Sequence, residues 1–101
     1  QTMMSNHDIM TALHTELRQQ KLKYRSMDFL ANRHAADLKR SAKVGDFAQI
    51  EIHTRMYSEF CKEKHVCDVE IHRLEKEIKS WEKKPIRFAN IFKKLKMRLT
   101  L

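Results

Sequence analysis

Four residues of metal-ligand type share one stripe of a predicted helix. Cys61, His65, Asp68 and His72 follow one another at steps of four, three and four. Side chains at these spacings lie on one helical face, where two neighbours can chelate one ion. A single straight helix seldom offers more than two ligands to one metal, so a polar outer stripe is the favoured interpretation. We therefore predict no metal site and no cofactor.

No motif gathers histidines, carboxylates and thiols into a catalytic arrangement. The chain has one glycine, Gly45, and one proline, Pro85, so there are few loops from which to build a cleft. Cys61 and Cys67 lie six apart on the same predicted helix, and their side chains point in different directions. The sequence predicts a non-enzymatic protein with free cysteines, in a reducing, cytoplasmic setting.

The composition is that of long helices. Leu, Lys, Glu, Met, Arg and Ala dominate the 101 residues, which predicts a single all-α domain. Gly45 follows one helical pattern and Asp46 opens another, so a C-cap and an N-cap stand back to back. We predict an antiparallel coiled-coil hairpin with a first arm over about 6–43, a tip at 44–46 and a second arm over 46–84.

Both arms carry a seam, meaning the line of residues through which they contact each other. Its positions recur at alternating steps of three and four, the spacing of a coiled coil. Centring the turn on the tip pairs Leu13 with Ile78 and Ala31 with Phe60. The same register places His34 opposite Tyr57. The predicted seam is Met10, Leu13, Leu17, Gln20, Tyr24, Met27, Ala31, His34 and Leu38 on the first arm, and Ile50, His53, Tyr57, Phe60, Lys64, Cys67, Ile71, Leu74, Ile78 and Trp81 on the second.

The residues after Pro85 predict a separate element. Proline lacks the N–H that a helix interior needs, so we expect Pro85 to end the second arm. Residues 86–100 then form a short basic amphipathic third helix, which packs on protein or lies in an acidic lipid interface. Its predicted anion-contacting residues are Lys93, Lys94, Lys96 and Arg98.

Several apolar residues fall outside the seam. A partner or a second copy of the chain is expected to cover them. The predicted contact residues are Leu22, Phe29, Ile52, Val66 and Val69 on the arms, with Phe88 and Phe92 on the third helix.

The charge is strongly basic and unevenly spread. The net charge is +8; residues 18–43 carry eight Lys or Arg against two acids, and residues 82–101 carry seven against one. Anionic partners are therefore expected: nucleic acid, acidic lipid or an acidic protein face. A first-arm stripe points outward, as a solvated face or as phosphate contacts, and comprises Arg18, Lys21, Arg25 and Lys39.

The tip resembles that of a known family. Charged multivesicular body proteins, the ESCRT-III family, typically have a basic first helix, a Lys-x-Gly-Asp tip and apolar residues soon after it. The matching stretch reads Leu38-Lys-Arg-Ser-Ala-Lys-Val-Gly-Asp-Phe-Ala-Gln-Ile-Glu-Ile-His53. The resemblance implies a cytoplasmic subunit, peripheral on an intracellular membrane, that polymerises with itself or a related helical subunit on acidic membranes and remodels them. It assigns lipid contact to Arg18, Lys21, Lys23 and Arg25.

Two other functions stay open. The hairpin could be a coiled-coil adaptor or chaperone that binds a protein partner through the apolar residues outside the seam. It could also bind nucleic acid non-specifically through the basic tail. Sequence-specific readout is not expected, because few aromatic residues are interleaved with the lysines.

Overall fold

Two long helices make up the part of the chain that the structure describes. The computed structural model describes the backbone of residues 5–99 and the side chains of residues 5–82. Helix α1 runs over Asn6–Val44 and helix α2 over Phe47–Leu99. They form a hairpin whose longest dimension is 84 Å, close to the roughly 80 Å expected for the length of α2. The predicted all-α hairpin is confirmed.

The tip between the helices is a tight, fully capped turn. Gly45 ends α1 in the left-handed region with φ 69°, and its N–H donates to the Ala42 carbonyl. The Asp46 N–H donates to the Ser41 carbonyl at 3.0 Å, which completes a Schellman motif. The Asp46 carboxylate in turn accepts from the Gln49 N–H at 3.2 Å and caps α2. Both predicted caps are therefore present.

Pro85 does not end the second helix, contrary to the prediction. Helix α2 continues through it to Leu99 without interruption. A proline removes one helical hydrogen-bond donor, but its ring fixes φ at about −65°, which a helix also adopts, so the helix can continue through it. Residues 86–99, predicted as a separate third helix, continue α2 instead. Their side chains lie outside the described residues.

The predicted seam is confirmed at all but one position. Every predicted seam residue of α1 is buried or half-buried, and so is every one of α2 except Tyr57. These residues thus form one line of contact that closes the hairpin. The most deeply buried members are Leu13, Ala31, Cys67, Leu74 and Ile78.

Tyr57 departs from the predicted seam. The neighbouring Cys61 on the same helix is the main cause that raises the pKa of Tyr57 above its ordinary value. The side chain is exposed, and Met56 is half-buried beside it. His34, predicted to face Tyr57, lies against His53 and stacks on Phe60 with ring centroids 5.5 Å apart.

The apolar core sits at the base, the end of the hairpin away from Gly45. Leu13 packs there with Leu74 and Ile78, and half-buried apolar neighbours surround them. Ion pairs between the helices fix the antiparallel register: Glu16 meets Arg73, whereas Lys23, further along α1, meets Glu63, earlier on α2. Among the described residues, no helix is both long and apolar enough to cross a membrane.

Candidate functional site

Three predicted anion-contacting residues meet in one groove on the outer face of α1. Arg18, Lys21 and Arg25 follow one another at steps of three and four, so one helical face carries all three. The groove that they line is shallow, with a volume of about 270 Å³. We call it the α1 groove; its residues are His14, Leu17, Arg18, Lys21, Leu22 and Arg25.

The three cations of the α1 groove have no acidic partner. Among the side chains of residues 5–82, no carboxylate forms an ion pair with Arg18, Lys21 or Arg25. Lys23 differs, because its ammonium lies 3.9 Å from the Glu63 carboxylate across the hairpin. Of the four residues to which the resemblance assigns lipid contact, three therefore share a free basic surface and Lys23 lies outside it.

On α2, the charge of Arg73 is instead neutralised within the hairpin. The Arg73 guanidinium donates to Glu70 at 2.6 Å and to Glu77 at 2.9 Å, and it also lies 3.7 Å from Glu16. The hydrogen bond from Arg73 lowers the pKa of the Glu70 carboxyl below its ordinary value. This cation is thus committed to contacts inside the protein.

Lys64 is a charged residue placed in the seam, and the seam accommodates it. Its ammonium donates to the Asp28 carboxylate at 2.8 Å and lies 5.6 Å from the centroid of the Tyr24 ring. The hydrogen bond to Asp28 is the main cause that raises the pKa of Lys64 above its ordinary value. Burial of the charge is compensated by these two contacts.

The apolar residues predicted to lie outside the seam are exposed on both helices. On α1, Leu22 and Phe29 lie seven residues apart and share an outer face, and Phe29 is 65% exposed. The remaining members, on α2, are Ile52, Val66 and Val69. Nothing in the described part of the hairpin covers this set, whereas Phe88 and Phe92 lie outside the described side chains.

The tip exposes two further apolar residues that the sequence analysis missed. Val44 and Phe47 flank the turn, and Phe47 is 82% exposed. Their position next to Gly45 and Asp46 was the available signal, because side chains beside a tight turn have no facing helix. They add a second uncovered apolar surface at the end of the hairpin.

The metal-ligand residues on the stripe of α2 are not gathered around one point. His72 Nδ1 lies 2.8 Å from the Asp68 carbonyl oxygen on its own helix, and this hydrogen bond raises the pKa of His72. In the described part of the chain, the one set of ligand atoms close enough to hold an ion comprises His34, Asp37 and His53.

Fold and site together define an antiparallel helical hairpin with one free basic groove and uncovered apolar faces. Comparisons with protein families, with curated proteins and with solved structures find no match to this chain. The likeness to ESCRT-III proteins therefore rests on residues 38–53 and on the basic first helix. The predicted tail cations Lys93, Lys94, Lys96 and Arg98 lie outside the described side chains.

Proposed function

We propose that this chain is a non-enzymatic assembly protein that binds acidic membrane surfaces through the α1 groove. The observation that carries the proposal is the set of three cations, Arg18, Lys21 and Arg25, without acidic partners and around an exposed Leu22. Lipid phosphates attract such cations, and an apolar side chain among them can enter the interface. The resemblance of the tip to ESCRT-III proteins supports the same function.

Energetics link membrane binding to assembly. A basic residue near an acidic membrane contributes about 1 kcal/mol, so three contribute about 3 kcal/mol, or roughly a hundredfold in affinity. One hairpin would therefore bind weakly. A polymer that presents many grooves to one surface binds far more tightly, because each further contact is intramolecular. We therefore include polymerisation in the proposal, as the ESCRT-III resemblance implies.

The exposed apolar residues supply surfaces for such assembly. Phe29 lies on the outer face of α1, whereas Val66 and Val69 lie outside the seam on α2. Contact between two different faces of neighbouring copies gives a head-to-tail arrangement, which extends into a filament where the rotation between copies does not close a ring. Filaments and membrane remodelling would follow from that arrangement.

Co-sedimentation with vesicles tests the proposal. The full chain should pellet with acidic vesicles and stay in the supernatant with neutral ones, and negative-stain electron microscopy of the pellet should show filaments. Replacing Arg18, Lys21 and Arg25 together by Gln should abolish most of the pelleting.

A matched control removes the same charge elsewhere. Arg33, Lys76 and Lys79 are exposed cations outside the α1 groove, and replacing all three by Gln should leave most of the vesicle binding intact. Equal losses in both triple variants would reduce the groove to one part of a diffuse positive charge. A wild-type chain that ignores acidic vesicles at low salt would contradict the proposal.

The exposure of Leu22 and Phe29 favours a second candidate function, that of an adaptor for a protein partner. An adaptor would form a discrete dimer or heterodimer that is indifferent to lipid. Phe29→Ala should then weaken that complex in sedimentation velocity without lipid, and unchanged association would count against it. Non-specific nucleic-acid binding by the tail stays a prediction about side chains outside the described residues.

A further inference from the structure

Near the tip, three metal-ligand side chains from both helices converge. His34 and Asp37 lie one turn apart on α1, and His53 faces them from α2. Their ligand atoms all lie within 4.8 Å of one another. All three residues are half-buried, so an ion from solvent can reach them.

The contact between the two histidines requires either an N–H···N hydrogen bond or a bound ion. Nδ1 of His34 lies 2.9 Å from Nδ1 of His53. Two ring nitrogens that present lone pairs repel each other, and two that both carry a proton repel as well. The arrangement is stable when one shared proton or one metal ion lies between the nitrogens.

The spacing is close to that of a zinc site. With Zn–N bonds of about 2.0–2.1 Å and tetrahedral angles, two ligating nitrogens lie about 3.3 Å apart. The observed 2.9 Å requires the rings to separate by only a few tenths of an ångström. Two histidines and one carboxylate are the ligands of many zinc sites, in which a water molecule occupies the fourth position.

Neighbouring side chains hold two of these ligands in place. The His34 ring stacks on Phe60 with an interplanar angle of 15°. Arg40 donates a hydrogen bond to Oδ1 of Asp37, which leaves Oδ2 for an ion. Such supporting contacts orient ligands in known metal sites.

We propose that His34, Asp37 and His53 bind a divalent transition-metal ion of the zinc type and thereby tie α1 to α2 near the tip. The site shares no residue with the α1 groove, so metal binding and membrane binding can be tested separately. An ion bound only by the closed hairpin would also stabilise that state against separation of the helices.

Titration of the reduced full-length chain with Co²⁺ tests the site, since the visible spectrum of Co²⁺ reports its ligands, and Zn²⁺ should displace it. His53→Gln and Asp37→Asn each remove one ligand and should weaken binding on the order of 10–100-fold or more. Asp37 lies outside the seam, so Asp37→Asn is expected to keep the hairpin folded, which circular dichroism checks.

The stripe on α2 provides the matched control. A variant with Cys61→Ser, His65→Gln and His72→Gln should bind Co²⁺ with close to wild-type affinity, and Zn²⁺ should raise its melting temperature as it does for wild type. Zn²⁺ should not raise that of Asp37→Asn. Loss of binding in the control with retention in His53→Gln would overturn the proposal, as would a wild-type chain that binds neither ion at submillimolar concentration.

Discussion

The two halves of the hairpin are closed by different chemistry. At the base, Leu13, Leu74 and Ile78 form an apolar core, and Leu74 is fully buried. Towards the tip, the seam contains the His34–His53 pair and the charged Lys64. A fully buried Leu or Ile contributes about 1.5–3 kcal/mol, whereas a hydrogen bond contributes about 0.5–1.5 kcal/mol net. The base therefore supplies most of the stability, whereas the half nearer the tip supplies polar contacts between the two helices.

This difference bears on function because the α1 groove belongs to the more stable half. Leu17 lines the groove and also packs against the base core. Arg18 and Lys21 lie within about one helical turn of Leu17. We therefore expect the packing of Leu17 to hold this part of α1, and with it the two cations, in place. We expect the half nearer the tip, whose seam contains the His34–His53 pair, to open more easily.

The largest effect is expected from opening a cavity at the base. Leu74→Ala should lower the free energy of unfolding by about 2–5 kcal/mol, because the side chain is 0% exposed and its space cannot be refilled by water. Urea denaturation measures this change. Ile50→Ala, at a half-buried seam position near the tip, should cost clearly less. Equal costs would contradict the contrast between the halves.

Overpacking the middle of the seam should have the next largest effect. Ala31 is 1% exposed, so Ala31→Leu should cost about 1–3 kcal/mol as the helices are forced apart. Ala36→Leu places the same side chain at an exposed position of α1 and should change little in the same urea experiment. An unchanged free energy of unfolding for Ala31→Leu would show that the helices are loosely packed around Ala31.

The turn itself should respond to backbone conformation and not to packing. Gly45 has φ 69°, and a Cβ there would meet no atom within 4 Å. Gly45→Ala should therefore cost about 1–2 kcal/mol through the left-handed backbone alone. Gly45→Asn should cost less, because asparagine adopts this conformation more readily. Equal urea midpoints for the two variants would contradict this explanation.

The smallest effect is expected from the exposed ion pairs of the base half. The Arg73 guanidinium lowers the pKa of Glu70, so the contribution of this pair is present above the ordinary glutamate value of 4.5 and is lost as pH falls through the lowered pKa. Glu70→Gln should therefore differ slightly from wild type in thermal unfolding at neutral pH. The gap should close in acid and shrink in high salt. A difference in melting temperature that changes with neither pH nor salt would point to a cause other than this ion pair.

The seam and the tip could be predicted because both depend on local sequence rules. Heptad spacing identified Leu74 as buried and Phe29 as exposed, and Gly45 with Asp46 marked the turn. Pro85 misled the prediction, since the φ that its ring fixes is compatible with a helix and α2 continues through it.

The convergence of His34, Asp37 and His53 was beyond the sequence for a different reason. Heptad spacing shows which face a residue occupies, but the axial offset taken from centring the turn on the tip placed His34 opposite Tyr57 and not His53. The sequence search for metal ligands followed one helix, whereas the structure brings ligands together from two. His34 and His53 at seam positions on either side of Gly45 were the available signal.

Amide hydrogen exchange along the chain tests the contrast between the halves most directly. Exchange of the free protein, followed by mass spectrometry of its peptides, should be slowest in residues 10–24 and 67–81. It should be clearly faster in residues 27–38 and 50–60, whose seam contains the His34–His53 pair. Protection that is uniform along both helices, or greater towards the tip, would contradict the account that the base holds the hairpin closed and the α1 groove in place.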